Sequence, residues 1–254
     1  MDILSFNTNQ FGGVLVDPLA LPEEPRSFRT QLAFSMDEWA AEGYKVAWLE
    51  LPLEKAPLVP VAAEAGFEFH HANEAYLMMT IQIEPGSHIP PFATHYIGAG
   101  AVVLHESKEI LVVSERYRMG SGRGPGYKLP GGALHPGEHM VEGVVREVLE
   151  ETGVHATFES LACFRHWHGY RYGKSDIYFV CRLSAQSYEI NRQEEEIAEC
   201  LWMPLDSFLA DPQIGEFNKV IVRAAVESPG LVPGQIQGYG DPNRFEFFLP
   251  GGAP

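Results

Sequence analysis

Three glutamates, Glu147, Glu150 and Glu151, stand at i, i+3 and i+4 within GALHPGEHMVEGVVREVLEETGV, residues 132–154. A helix would put their carboxylates on one face, on neighbouring turns. Like charges so placed repel by about 0.2–0.5 kcal/mol per pair. A hard divalent cation with oxygen ligands, Mg²⁺ or Mn²⁺, is the natural offset. An ion held there could neutralise a phosphate-rich substrate, activate a bound water and stabilise a leaving oxygen. A solvated acidic face is the other reading, and the three glutamates alone leave both open. Glu150 and Glu151 are first choices as ligands. Glu147 is third ligand or general base, two roles that spacing does not separate. Arg146 is a cation among them.

Those side chains need a helix with a buried face. Val141, Val144, Val145 and Val148 recur at helical spacing and supply it, and Gly153 stands where a left-handed C-cap would stop the helix. Gly132 and Gly137 permit a tight loop before the helix, and Glu138 anchors that loop or adds a ligand. Gly143, one turn before Glu147, is expected to leave room where phosphate approaches. YIGAGAVVL and EILVVSE read as strands joined at Ser107-Lys108, and TFESLACFRHWHGY and KSDIYFVCRL as two more. The loop between the last two holds His166, Trp167, His168, Tyr170 and Arg171. It suits base stacking and phosphate contact, or Trp167 and Tyr170 simply pack. RYRMGSGRGPGYKLP is glycine-rich but lacks the G-K-[ST] of a P-loop, and it reads as a loop at the mouth of the site. Arg116, Lys128, Gly132, Arg165, Trp167 and Arg171 are the expected substrate contacts. After LWMP a helix is expected through about Val226.

Residues 1–90 read as a small α/β module. Its helix, Ser27–Gly43, would bury Phe28, Leu32, Phe34 and Trp39. The pair His70-His71 has no carboxylate or cysteine at ligand spacing, so it reads as a hydrogen-bonding pair at a strand start. The linker EPGSHIPPFAT marks a domain boundary near residue 95. Three parts follow: 1–95, 96–227 and a Pro/Gly-rich tail, 228–254, that cannot form a core alone.

The formal net charge of −16 argues against a nucleic-acid polymer or an anionic membrane as partner. Residues 1–95 carry 4 basic and 13 acidic residues, and residues 183–254 carry 4 and 11, whereas residues 108–182 carry 10 and 9. Locally balanced charge around an acidic motif favours a small anionic, nucleotide-type substrate. No apolar run reaches the ~18–20 residues that span a bilayer. The first residues lack a signal-peptide pattern, and Cys163, Cys181 and Cys200 fit reduced thiols. A cytoplasmic location is the expectation.

The full pattern G-x5-E-x7-R-E-U-x-E-E-x-G-U, with U aliphatic, is filled by Gly132, Glu138, Arg146, Glu147, Val148, Glu150, Glu151, Gly153 and Val154. It resembles the signature of Nudix hydrolases. The pieces WAAEGYKVAWLELP, AAEAGFEFHHANEAYLMM, KSDIYFVCRL and EIAECLWMP extend the likeness over residues 27–210. The branch resembled holds the plant ADP-ribose/NADH pyrophosphatases and the vertebrate Nudix-type-motif 6 proteins. The resemblance implies an α/β/α sandwich with a mixed sheet, preceded by a small acetyltransferase-like α/β domain. It also implies metal-dependent hydrolysis of a diphosphate linkage in a nucleoside diphosphate derivative, with ADP-ribose or NADH favoured, and a homodimer. Arg146 would orient a catalytic carboxylate, and the string Q-x-x-E-I-x-A selects Glu196 as a further metal ligand. Departures are Leu129-Pro130-Gly131 where the plant proteins have L-P-T, and Glu199-Cys200 after Glu196. The acetyl-CoA turn [QR]-x-x-G-x-[GA] fails at Leu15, and SQPWPFPxS is absent after the motif. The alternatives are hydrolysis of oxidised nucleoside triphosphates and a non-catalytic nucleotide-binding regulator. The intact set of glutamates argues against the regulator.

Overall fold

The computed structural model describes residues 2–10, 12–117, 126–238, 240–241 and 243–251. It divides into two compact units, Met1–Thr94 and His95–Pro254. Gly120, Gly122 and Gly124 of the glycine-rich loop lie outside the described residues.

In the first unit, β1 (Phe6–Thr8), β2 (Gly13–Val16), α1 (Pro25–Ala41), β3 (Val46–Pro52), α2 (Val59–Glu64), β4 (Glu68–Ala72) and β5 (Tyr76–Gln82) follow in order. They build a five-stranded sheet, β1-β2-β3-β5-β4, in which only β2 and β3 run parallel. Helix α1 buries Phe28, Leu32 and Trp39 as its periodicity predicts, but Ser35 takes the buried place expected for Phe34. That hydroxyl donates to the Gln31 carbonyl and accepts from the Leu4 N–H at 2.8 Å, so a polar group sits in the core at little cost. His70 and His71 join a hydrogen-bonded row: Tyr76 OH, His71, His70 and the Pro90 carbonyl, at 3.1, 2.6 and 2.8 Å.

The second unit contains β6 (His95–Leu104), β7 (Glu109–Glu115), β8 (Gly131–Ala133), α3 (Met140–Thr152), β9 (Ala156–Trp167), β10 (Ser175–Ala185) and β11 (Ile197–Pro204). Then come α4 (Leu205–Ala210), α5 (Glu216–Glu227), β12 (Leu231–Pro233) and β13 (Phe248–Pro250). The sheet runs β11-β7-β6-β10-β9-β12-β13, with β8 paired to β6. Only β6 and β10 are parallel, so the sheet is mixed. Alternation along β6 sorts two cores. Ala99, Ala101 and Val103 pack with Val144 and Val148 of α3, whereas Val102 packs with Phe208 of α4 and Val222 of α5. This is the α/β/α sandwich.

Two features depart from expectation, and the tail resolves a choice the sequence leaves open between wrapping a domain and staying free of one. The single helix expected through Val226 is two helices, because the chain turns at Asp211–Gly215. Gly131–Ala133 is a strand, registered Gly98↔Ala133 and Gly100↔Gly131. Three residues rich in glycine carry no strand signal of their own. Within the tail, Leu231–Pro233 and Phe248–Pro250 extend the sheet from β9, with Leu231 opposite Leu161. The tail thus shares the core of the second unit: Phe248 meets Phe158 edge-on at 5.9 Å. Among the described residues, no helix is long and apolar enough to cross a membrane.

Candidate functional site

Helix α3 lies with Met140, Val144 and Val148 buried, and this turns Glu147 and Glu151 toward β8. It ends at Gly153, whose φ of 72° is left-handed and whose N–H donates to the Leu149 carbonyl at 2.8 Å. Strand β8 can approach because it has no side chains where it meets its neighbours. A Cβ on Gly131 would fall 2.2 Å from the Ala99 carbonyl oxygen, and one on Gly132 would fall 2.7 Å from the Glu147 carboxylate. Gly132 therefore seats Glu147 against the strand.

Arg146 organises the acidic face. Its Nε and Nη2 donate to the two carboxylate oxygens of Glu138 at 2.6 and 2.9 Å, and its Nη1 donates to both Glu147 and Glu150 at 2.9 Å. The guanidinium holds the Glu138 carboxyl down to about 2, a charge-assisted fork. Glu138 also accepts the His135 N–H at 2.9 Å, which closes the loop before the helix. Gly143 leaves room for this loop: its Cβ would lie 2.4 Å from Leu134 and 3.0 Å from Glu138.

The adjacent glutamates differ sharply. The Glu150 side chain is 53% exposed, whereas Glu151 is 6% exposed and accepts the Gly131 N–H at 2.9 Å. Burial pushes the Glu151 carboxyl up to about 7; Lys128 opposes this, while Glu147 and Glu115 add to it.

Three carboxylates on one guanidinium and a fourth, Glu151, on the Gly131 N–H are all oxygen ligands of the kind that suits a hard divalent cation. A buried carboxyl whose ionised form is disfavoured fits the same ion. Among the described residues, as the side chains stand, no three His, Cys, Asp or Glu groups converge to hold a metal. Arg146 Nη1 bonds both Glu147 and Glu150, and the Gly131 N–H bonds Glu151. Glu196 lies just before β11, exposed, and its carbonyl accepts the Arg116 N–H at 2.7 Å. Its loop is pinned to the end of α3 by Asn191 N–H to the Thr152 carbonyl and Gln193 N–H to the Glu151 carbonyl, at 2.9 and 3.2 Å.

The expected substrate contacts divide. Arg116 is exposed and, with Tyr117, Glu194 and Glu195, lines a cavity of about 370 Å³. Lys128 pairs with Glu115. Arg165 is half-buried and already partnered: it pairs with Asp176, and its guanidinium lies 5.3 to 5.5 Å from the Trp167, Tyr178 and Phe217 rings. Trp167 is 46% exposed and packs on Tyr170 at 5.3 Å, and Arg171 lies over Tyr170. His166 and Trp167, expected in the loop, instead close strand β9 opposite Ile177 and Asp176, and Tyr170 and Arg171 follow in the loop itself.

Two carboxylates escaped the sequence reading. Glu115, at the end of β7, acts on Glu151 from outside the motif. Glu246, in the tail, accepts the backbone N–H groups of Met140 and Val141. No local signal marks either one.

Comparison with known proteins places this geometry. Residues 4–83 match a family model described as Nudix hydrolase domain, and residues 94–225 match one described as NUDIX domain. The chain is 42% identical over 214 residues to Nudix hydrolase 8 of Arabidopsis thaliana, covering 84% of this chain and 58% of that protein. It is 39% identical over 211 residues to Nudix hydrolase 2 of the same plant, covering 83% and 75%. It is 35% identical over 206 residues to human nucleoside diphosphate-linked moiety X motif 6, covering 78% and 64%. It thus spans a little over half to three-quarters of the length of these relatives.

Proposed function

Because this chain belongs to the Nudix hydrolases, we propose that it hydrolyses the diphosphate linkage of a nucleoside diphosphate derivative, with ADP-ribose or NADH as favoured substrate. One observation carries the reading: Arg146 holds three carboxylates, Glu138, Glu147 and Glu150, while Glu151, on the same helix, is held by the Gly131 N–H of β8.

Glu147, Glu150 and Glu151 would hold Mg²⁺ or Mn²⁺, with Glu196 as a fourth ligand from the loop pinned to α3. The ion would neutralise the diphosphate and lower the pKa of a bound water. The chain's own residues supply order. Glu138 fixes Arg146, and Arg146 keeps Glu147 and Glu150 together on one nitrogen, from which both would turn toward the ion. Exposed Arg116 and Arg171 suit the phosphates, and Trp167 and Tyr170 suit a base or nicotinamide ring. Arg165 already has Asp176 as partner, so its part is to hold the aromatic loop.

A hydrolysis panel with Mg²⁺ and Mn²⁺, its products separated by anion-exchange chromatography, tests this, covering ADP-ribose, NADH, FAD, coenzyme A, diadenosine polyphosphates, diphosphoinositol phosphates and 8-oxo-dGTP. Hydrolysis of ADP-ribose or NADH should collapse in Glu150→Gln and Glu151→Gln. Preference for 8-oxo-dGTP would replace the substrate, and tight nucleotide binding without turnover of anything in the panel would sink the enzymatic reading. The homodimer implied by the resemblance is checked by light scattering on the same protein.

A further inference from the structure

We propose that Glu246, in the C-terminal tail, is a positioning residue for the metal-binding carboxylates, acting by capping the helix that carries them. This rests on reading Glu147, Glu150 and Glu151 as metal ligands.

The first N–H groups of any helix lack partners within it. At α3 the N-cap residue, His139, makes no capping hydrogen bond through its side chain. The cap comes instead from 106 residues away. Glu246 Oε2 accepts the Met140 N–H at 2.6 Å and Oε1 accepts the Val141 N–H at 3.3 Å, while His139 Nδ1 lies 3.7 Å from the same carboxylate. A carboxylate there also meets the positive end of the helix dipole. The side chain is 22% exposed, so water competes only in part.

The tail is itself anchored. Strand β13 pairs with β12, β12 touches β9 at Leu231↔Leu161, and the Gly234 N–H donates to the Phe247 carbonyl at 2.8 Å, one residue from Glu246. The NUDIX match ends at residue 225, so the cap lies beyond the matched domain.

The capped turn adjoins the arginine clamp. Glu138 stands two residues before Met140 and grips Arg146, which grips Glu147 and Glu150. Holding the Met140 and Val141 amides fixes where the helix begins, and so fixes Glu138 relative to Arg146, eight residues on. Released, the first turn frays and the clamp loosens with it. The carboxylates then reach a cation from a wider spread of positions.

The test uses the full chain and Mn²⁺ alone, with binding read from the loss of the free-ion electron paramagnetic resonance signal. Thermal midpoints and amide exchange at Met140 and Val141 are followed in parallel. In Glu246→Ala, Mn²⁺ should bind roughly 5- to 10-fold more weakly, the scale set by losing one good cap, with faster exchange at both amides. Glu246→Gln keeps an acceptor oxygen and should recover most of the affinity. Glu246→Asp, shorter by one methylene and expected to fold, should fall between. If Glu246→Ala and Glu246→Asp bind Mn²⁺ as tightly as the unaltered protein, the tail is a stability element only and the proposal is overturned. If Glu246→Ala does not fold, the Asp and Gln variants alone decide. The metal reading fails separately, if Glu150→Gln with Glu151→Gln leaves Mn²⁺ binding unchanged. An unaltered protein that binds no Mn²⁺ overturns both.

Discussion

The burial of Glu151 makes the stability of the metal-free protein depend on pH in an unusual direction. Its carboxyl is pushed up to about 7 from 4.5, chiefly by burial. Between those values the folded protein holds a proton that the unfolded chain releases, so stability falls as pH rises. The contribution is complete below about 4.5 and is lost as pH passes 7. At 1.36 kcal/mol per pKa unit, the loss between pH 5 and pH 8 is about 2–3 kcal/mol. Most buried carboxylates with cationic partners behave the other way. Glu151→Gln keeps an acceptor for the Gly131 N–H, now 2.9 Å from the carboxylate, and removes the titration. Urea denaturation in chelator at pH 5, 6, 7 and 8 gives the comparison. The unaltered protein should weaken across this range by about 2–3 kcal/mol more than the variant does. Added Mn²⁺ should restore stability preferentially at pH 8, where the carboxylate is ionised. Equal pH slopes for the two proteins in chelator would refute the assignment of the loss to Glu151.

Other substitutions test the remaining geometry. Gly143→Leu would drive its side chain into Leu134 and Glu138, and denaturation should show a loss of about 1–3 kcal/mol. Unaltered stability with lost turnover would return Gly143 to a role in phosphate approach. Arg165→Gln leaves Asp176, 7% exposed, without its cation. A loss of about 1–3 kcal/mol in urea denaturation is expected, and a raised KM at unaltered stability would instead restore Arg165 to the substrate.

Acidic pH gives a third check through Glu138. Its carboxyl is held at about 2 by Arg146, below its unfolded value, so the clamp's stabilisation is present above about 4.5 and is lost as pH falls toward 2. Arg146→Met should shrink that acid-side loss in a denaturation series, and an unchanged acid limb would remove Glu138 as its source.

Much of the second unit is legible locally. The four valines at helical spacing predict α3 and its buried face, and Gly153 predicts its end, because a helix repeats within a few residues. Strands β6, β7, β9 and β10 follow from apolar runs bounded by turns. Short elements set by distant pairing are harder. β8 is too short and too glycine-rich to announce itself, and its strand character comes from pairing with β6, more than thirty residues earlier. In the same way Asp211–Gly215 splits a helix that apolar spacing alone would continue.

The carboxylates show where the division lies. The sequence by itself determined which glutamates share a helix with Arg146, since spacing along one helix is a local property. That Glu150 faces solvent while its neighbour Glu151 is buried under Gly131 follows from how the folded chain returns to the helix. The tertiary structure also decided that Arg165 is held by Asp176 and that Glu246 caps the helix from the far end of the chain. Burial, partners and proton affinity depend on which distant segments return to a residue, and no window of the sequence contains both.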